Sequence, residues 1–261
     1  EMREMNLESD RPRRDVSPRT PGRAHPYLLG LVQYLEENLP DVAHFYQGGF
    51  FIGEYTKEPR YTQDVDMSIT ELSSYERVKQ VLNAYGTKLQ EAGVISKYLV
   101  RSEASERHSG GAKFYAPDGS ILFSVDIGFH EKPLRTVAIE MNDVGRVSIT
   151  TVEQMLCDKL SALFSDRRQR RIKDLFDAWH ILTTCSVDVN ELILCLDQRG
   201  LYPLKSEDGP FTDANLPKVE SAYRTLRVYS RVTGYTIDLP EFWEVVQVLG
   251  DFYCDLTDSE V

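Results

Sequence analysis

The sequence has no apolar run approaching the ~20 residues a membrane-crossing helix needs, which excludes a helical membrane protein. Its N-terminus carries no apolar signal core, so the expected compartment is the cytoplasm. Cysteine is scarce. Cys157, Cys185, Cys195 and Cys254 form no C-x-x-C pair and have no histidine beside them at ligand spacing, which argues against zinc. Reduced, mostly buried thiols are expected instead. No internal repeat is visible, so a solenoid or propeller is excluded. Positive charge is also in deficit: the net charge of −11, taken as a sum, argues against nucleic acid as a partner.

What remains is the composition of an ordinary globular chain, 41% hydrophobic and 27% charged, and 261 residues give room for one large domain or two smaller ones. The charge is unevenly spread. Residues 235–261 hold seven acidic side chains and no Lys or Arg, whereas RRQRRIK at 167–173 sets five cations in seven residues. A local basic patch therefore survives the acidic total, unless that run is only a solvated turn between helices.

Residues 1–26 hold four prolines and little apolar periodicity, the pattern of a disordered arm or tag remnant. A helix is expected over 27–38, with Leu28, Leu31, Val32 and Leu35 on one face and Pro40 after it. Strand-like runs follow at 43–47, 64–69, 95–101, 112–116, 121–129 and 145–149, with a helix at 73–92 between the second and third. From Thr151 the pattern turns helical, over about 151–165, 168–184, 187–199, 215–232 and 239–254, and Thr151 with Gln154 fits a capping box. The expectation is an α+β chain with a sheet-bearing part at 27–150 and a helical part at 151–261.

Two carboxylates interrupt the second strand. In DVDMSI, positions i and i+2 share a face, so Asp64 and Asp66 stand side by side while Val65, Met67 and Ile69 turn to a core. Their repulsion is a cost that a divalent cation would remove. In ILFSVDIGF the odd positions from Ile121 to Phe129 are apolar, and Asp126 is the one charge in nine residues. A carboxylate there needs a partner. Either it meets an arginine such as Arg60, or it joins Asp64 and Asp66 in a three-carboxylate site for two Mg²⁺ ions. Gly48-Gly49 precedes FFIGEY, a plausible helical turn. A glycine corner of this kind lets backbone N–H groups approach phosphate oxygens.

In the second half, Met155, Lys159 and Leu163 share a helix face. A lysine on that stripe must reach water at the helix edge or meet an anion. On the next helix Ile172, Leu175, Phe176, Trp179 and Leu182 form a core face, while Asp174 and Asp177 share a side where Lys173 could pair with Asp177. In the acidic last helix, Leu239, Phe242, Trp243, Val246 and Leu249 line one side, as core or as a docking surface for a partner.

Gly48-Gly49 followed by Arg60-x-Thr62-x-Asp64-x-Asp66 resembles the first motif of the polymerase-β-type nucleotidyltransferases. More narrowly it is similar to the AbiEii/AbiGii group, the toxin component of type IV toxin–antitoxin and abortive-infection systems. MLCDKLSALFSDRRQRRIKDLFDAWHIL, 155–182, resembles that group's D-K-L-x-A-L helix followed by K/R-D-x-x-D. Two departures stand out: many polymerase-β-type enzymes have Gly-Ser at the glycine pair, and Phe50-Phe51 are bulkier than the small residues expected there.

The resemblance implies a polymerase-β-like mixed sheet with flanking helices, followed by a C-terminal helical bundle that completes the cleft. It implies Mg²⁺ or Mn²⁺ on Asp64, Asp66 and Asp126, with Lys159 and Asp174 completing the catalytic set. An NTP would be held by Gly48, Gly49, Arg60, Thr62, Lys159 and Asp177. It points to a tRNA 3′ end as acceptor, met by Arg167, Arg168, Arg170 and Arg171, and to a cognate antitoxin. Two other functions fit the same residues: nucleotidyl transfer to a small molecule or protein, and a non-catalytic binding module.

Overall fold

The computed structural model describes residues 24–57, 62–104, 109–130, 134–165, 168, 171–205, 209–233 and 239–258. The first 23 residues of the expected arm lie outside these, as do Arg60, Arg167 and Arg170.

The chain opens with α1 (His25–Asn38), whose Leu28, Leu31, Val32 and Leu35 are buried as the spacing predicts. Then come β1 (His44–Gln47), α2 (Gly49–Thr56) and β2 (Asp64–Ile69). A long amphipathic helix, α3 (Tyr75–Glu91), buries Tyr75, Val78, Val81, Leu82 and Tyr85. Strands β3 (Lys97–Val100), β4 (Gly110–Tyr115), β5 (Ile121–Phe129), β6 (Thr136–Met141) and β7 (Gly145–Thr150) follow. The remainder is helical: α4 (Val152–Leu163), α5 (Ile172–Thr184), α6 (Val189–Gln198), α7 (Leu216–Thr233) and α8 (Phe242–Asp258). This is the α+β architecture expected, a mixed sheet with flanking helices.

The seven strands form one sheet in the order β3-β4-β5-β2-β1-β7-β6. β2 runs parallel to β5 and β1 parallel to β7; the other neighbouring pairs are antiparallel. Val65, Met67 and Ile69 of β2, with Phe123, Val125 and Ile127 of β5, are buried on one face. Tyr27 of α1 stacks on Phe123, and Tyr85 of α3 meets Phe114 edge-on, so both helices cover that face. The carboxylates are left on the other. One apolar cluster runs from α1 through the sheet to Leu249 and Leu256 of α8.

Four details differ from the sequence reading. β6 was not expected: it is an edge strand exposed at most positions on both faces, so it has no burial alternation to read. α2 is a full eight-residue helix rather than a turn. In α8 the buried stripe is Phe242, Val245 and Leu249, whereas Trp243, expected on the apolar side, is 55% exposed. Thr151 caps α4 by accepting from the Gln154 amide, but the Gln154 side chain goes to Asp158 instead of closing the capping box.

Candidate active site

The β1–α2 corner sets the geometry. Gly48 caps α2 with φ of +82°, a left-handed conformation that favours glycine. A Cβ there would lie 2.0 Å from Oδ2 of Asp66, so the backbone approaches this carboxylate as closely as a bare glycine allows.

Asp66 and Asp126 are register partners on the parallel pair β2–β5, and Asp64 lies two residues before Asp66 on the same face. Thr62 donates from Oγ1 to Asp64 Oδ1 at 2.7 Å. Burial is the main cause raising the Asp66 carboxyl to about 7; Asp64 pushes the same way and Lys159 opposes. Burial also raises Asp126, against the pull of Arg101. The arginine beside Asp126 is thus Arg101, whose Nη2 lies 3.4 Å from its Oδ1, while Arg60 is outside the described residues.

Opposite the sheet, α4 and α5 bring up the second group. Lys159 is 6% exposed, and its Nζ lies 2.9 Å from both Asp174 Oδ1 and Asp177 Oδ2. Arg171 Nε donates to the other oxygen of Asp174 at 2.7 Å. The lysine of the apolar stripe has met an anion twice over. A cleft of about 250 Å³ is lined by Gly49, Thr62, Asp64, Asp66 and Asp126 on the sheet side, and by Lys159, Arg171, Lys173 and Asp174 on the helix side.

The family model of the nucleotidyl transferase AbiEii toxin, type IV toxin–antitoxin system, matches residues 40–236. The chain belongs to the AbiEii family. The matched span includes the whole cleft. No curated protein matches the sequence. Solved structures with a similar course include an antigenic nucleotidyltransferase-like protein from Paracoccidioides brasiliensis, 16% identical, covering 80% of this chain and 95% of that one at a TM-score of 0.41. Others are JHP933 from Helicobacter pylori (14% identity, 82% and 97% coverage, TM-score 0.44) and the nucleotidyltransferase toxin MenT4 from Mycobacterium tuberculosis (16%, 88% and 94%, 0.42).

Of the residues singled out by their resemblance to AbiEii, seven line the cleft together: Gly49, Thr62, Asp64, Asp66, Asp126, Lys159 and Asp174. Gly48 is not among the lining residues, but its Cα faces the Asp66 carboxylate. Asp177 is fully buried and does not line the cleft itself; its Oδ2 lies 2.9 Å from the Lys159 amine. In the basic run, Arg168 is turned inward, donating to the Leu163 carbonyl at 3.1 Å and to Asn215 Oδ1 at 3.3 Å. Arg171 and Lys173 line the cleft itself, a placement that charge counting missed and that their position one helical turn before Asp174 and Asp177 could have signalled.

Among the described residues no group of three His, Cys, Asp or Glu side chains is drawn together as a ready-made metal cluster. Asp64 is turned to Thr62 and Asp126 to Arg101. The donor set nevertheless fits Mg²⁺ or Mn²⁺ in kind: carboxylate oxygens on one face, with Asp66 held where burial and Asp64 penalise its charge until a cation neutralises it. No helix among the described residues is long and apolar enough to cross a membrane.

Proposed function

We propose that this AbiEii-family protein moves a nucleoside monophosphate from an NTP to an acceptor hydroxyl with Mg²⁺ or Mn²⁺, that the acceptor is a tRNA 3′ end, and that it does so in the cytoplasm as a toxin of an abortive-infection system held in check by an antitoxin. One observation carries this reading: a single cleft with carboxylates on one wall and cations on the other. A metal–triphosphate complex has that polarity, positive at the metal and negative at the phosphates.

In this account Asp64, Asp66 and Asp126 hold the cation, with the sheet part (27–150) supplying them and the helical part (151–261) completing the cleft. Lys159, Arg171 and Lys173 bind phosphate oxygens. The amides of the Gly48–Gly49 corner approach the phosphates at the positive end of α2. Asp174 and Asp177 fix the Lys159 amine, so it need not reorganise when charge develops. Bound at the carboxylates, the divalent ions would supply Lewis-acid neutralisation of phosphate charge in a two-metal arrangement. Asp126, on the wall of the cleft nearest the sheet edge, is placed to receive the acceptor's proton as the new oxygen–phosphorus bond forms and pyrophosphate leaves.

The test is label transfer. The protein is incubated with Mg²⁺, total tRNA and each α-phosphate-labelled NTP in turn. Label in RNA for one NTP, and none with Asp66→Ala, is expected. The corresponding cellular result is growth arrest with wild type and relief with that variant.

A further inference from the structure

Beyond the cleft, the free edge of the sheet next to Asp126 carries a surface to which no role has yet been given. β3 is the edge strand and β4 lies between it and β5. Register sets Lys97 opposite Tyr115 and Leu99 opposite Lys113, and Lys113 opposite Ser124 of β5. The amide of Arg101 donates to the carbonyl of Gly111, which is itself opposite Asp126. With side chains alternating, Lys97, Leu99, Arg101, Lys113 and Tyr115 therefore share the sheet face that carries the three carboxylates.

The opposite face of these strands is covered by α3, where Tyr98 and Phe114 stack. This face is open. Lys97, Arg101 and Lys113 are exposed, and so is Leu99 at 57%. The Lys97 amine sits 4.7 Å over the Tyr115 ring. On this face the two strands carry Lys97 and Lys113 and no acid, and Arg101 follows directly after β3, in a chain whose net charge is −11.

The shelf is joined to the carboxylates by design of the backbone. Gly111, at φ of +125°, has no side chain, and a Cβ there would strike the Val125 carbonyl at 2.0 Å. Arg101 reaches across this bare position to Asp126, while its Nη1 donates to the carbonyls of Ser109 at 2.9 Å and Gly110 at 3.2 Å. A guanidinium is thus fixed at the boundary between shelf and cleft, on the side of Asp126 away from Lys159 and Arg171.

We propose that this β3–β4 shelf is the acceptor-binding surface and that it takes a single-stranded nucleic-acid end: phosphates on Lys97, Lys113 and Arg101, an unstacked base against Leu99 and Tyr115. Cations interleaved with aromatic and apolar side chains on a sheet surface suit a strand that offers both backbone charge and base faces. A polycationic small molecule is repelled by the same surface. An acidic protein segment would satisfy the cations but leave Leu99 and Tyr115 without a flat partner. The inference rests on the transferase reading and locates the acceptor within it.

The test uses the full chain, a short fluorescein-labelled single-stranded RNA, and anisotropy titrations across a salt series, with Mg²⁺–ATP calorimetry run in parallel. Compared are wild type, Lys97→Gln/Lys113→Gln, and Lys218→Gln on α7 as a distant control. The double variant is expected to lose at least ~10-fold in RNA affinity and to show a log–log salt slope shallower by about 1.4, as loss of two single-strand phosphate contacts requires. Its ATP binding and the control's RNA binding stay at wild-type values. RNA affinity unchanged in the double variant, no RNA binding by wild type, or equal displacement by a polyglutamate peptide overturns the shelf. If no form of the protein binds Mg²⁺–ATP while the double variant still loses RNA, the shelf stands and the transferase reading falls.

Discussion

Gly48 and Asp66 are packed so closely that a single added carbon does not fit: a Cβ on Gly48 would stand 2.0 Å from Oδ2 of Asp66. The bare glycine leaves the room that the second carboxylate of DVD occupies, which explains why a glycine follows β1. Gly48→Ala is expected to lower activity at least ~100-fold by displacing that carboxylate, and to destabilise the fold by roughly 1–3 kcal/mol through positive φ and overpacking. Gly119→Ala is the comparison. Its φ is +80° but no atom lies within 4 Å of the added carbon, so it bears the backbone cost alone and stays active. Thermal melts and NTP turnover on both variants read the difference.

The Lys159–Asp174–Asp177 cluster gives a stability prediction with a built-in control. Lys159→Met leaves two buried carboxylates without their shared amine and should cost about 3–5 kcal/mol in urea unfolding. The triple variant Lys159→Met/Asp174→Asn/Asp177→Asn removes the two carboxylate charges as well, and the half-exposed Arg171 that pairs with Asp174 can turn to water. It should regain most of that stability while remaining inactive, because the phosphate-facing amine is still missing. A triple variant as unstable as the single one would show that the cluster is not acting as a charge-balanced unit.

How much of this was legible beforehand differs from residue to residue. β2 and β5 appear at the boundaries their patterns predict, because each has one apolar and one polar face and a register slip would bury carboxylates. β6 lay hidden because an edge strand wet on both sides leaves no alternation, although the N-D-V-G run after it was a turn signal. Charge counts mislead about direction: in RRQRRIK, Arg168 ties α4 to the start of α7. The shelf at Lys97, Arg101 and Lys113 is invisible as a run, since only strand register brings those positions together. Likewise Arg101, not a residue near the D-x-D motif, reaches Asp126 across a glycine that nothing in the sequence marks as a bridge.

Asp66 makes stability depend on pH. Its carboxyl titrates near 7 in the folded protein against an ordinary value of 3.8, so between those values the folded chain holds a proton that the unfolded chain has released. The stabilisation this group gives is therefore complete below about pH 4 and is lost as pH rises through about 7. Asp66→Asn should be more stable than wild type at pH 8, by on the order of 2–4 kcal/mol, and the gap should close below about pH 4. Adding Mn²⁺ at pH 8 should raise the melting temperature of wild type and leave that of Asp66→Asn unmoved. A melting temperature for the variant that tracks wild type from pH 4 to 8 would contradict the assignment.

The central claim is that the carboxylate wall and the cation wall of one cleft act together on a nucleoside triphosphate. The most direct measurement is transfer of α-phosphate label to tRNA by wild type and by Asp66→Ala, Asp126→Ala and Lys159→Met, each checked for folding by circular dichroism. The account predicts RNA labelled at the 3′ end by wild type, with release of pyrophosphate, and loss of at least ~100-fold in each variant that folds. Label transfer undiminished in folded Asp66→Ala, or no transfer from any NTP by wild type, would contradict it.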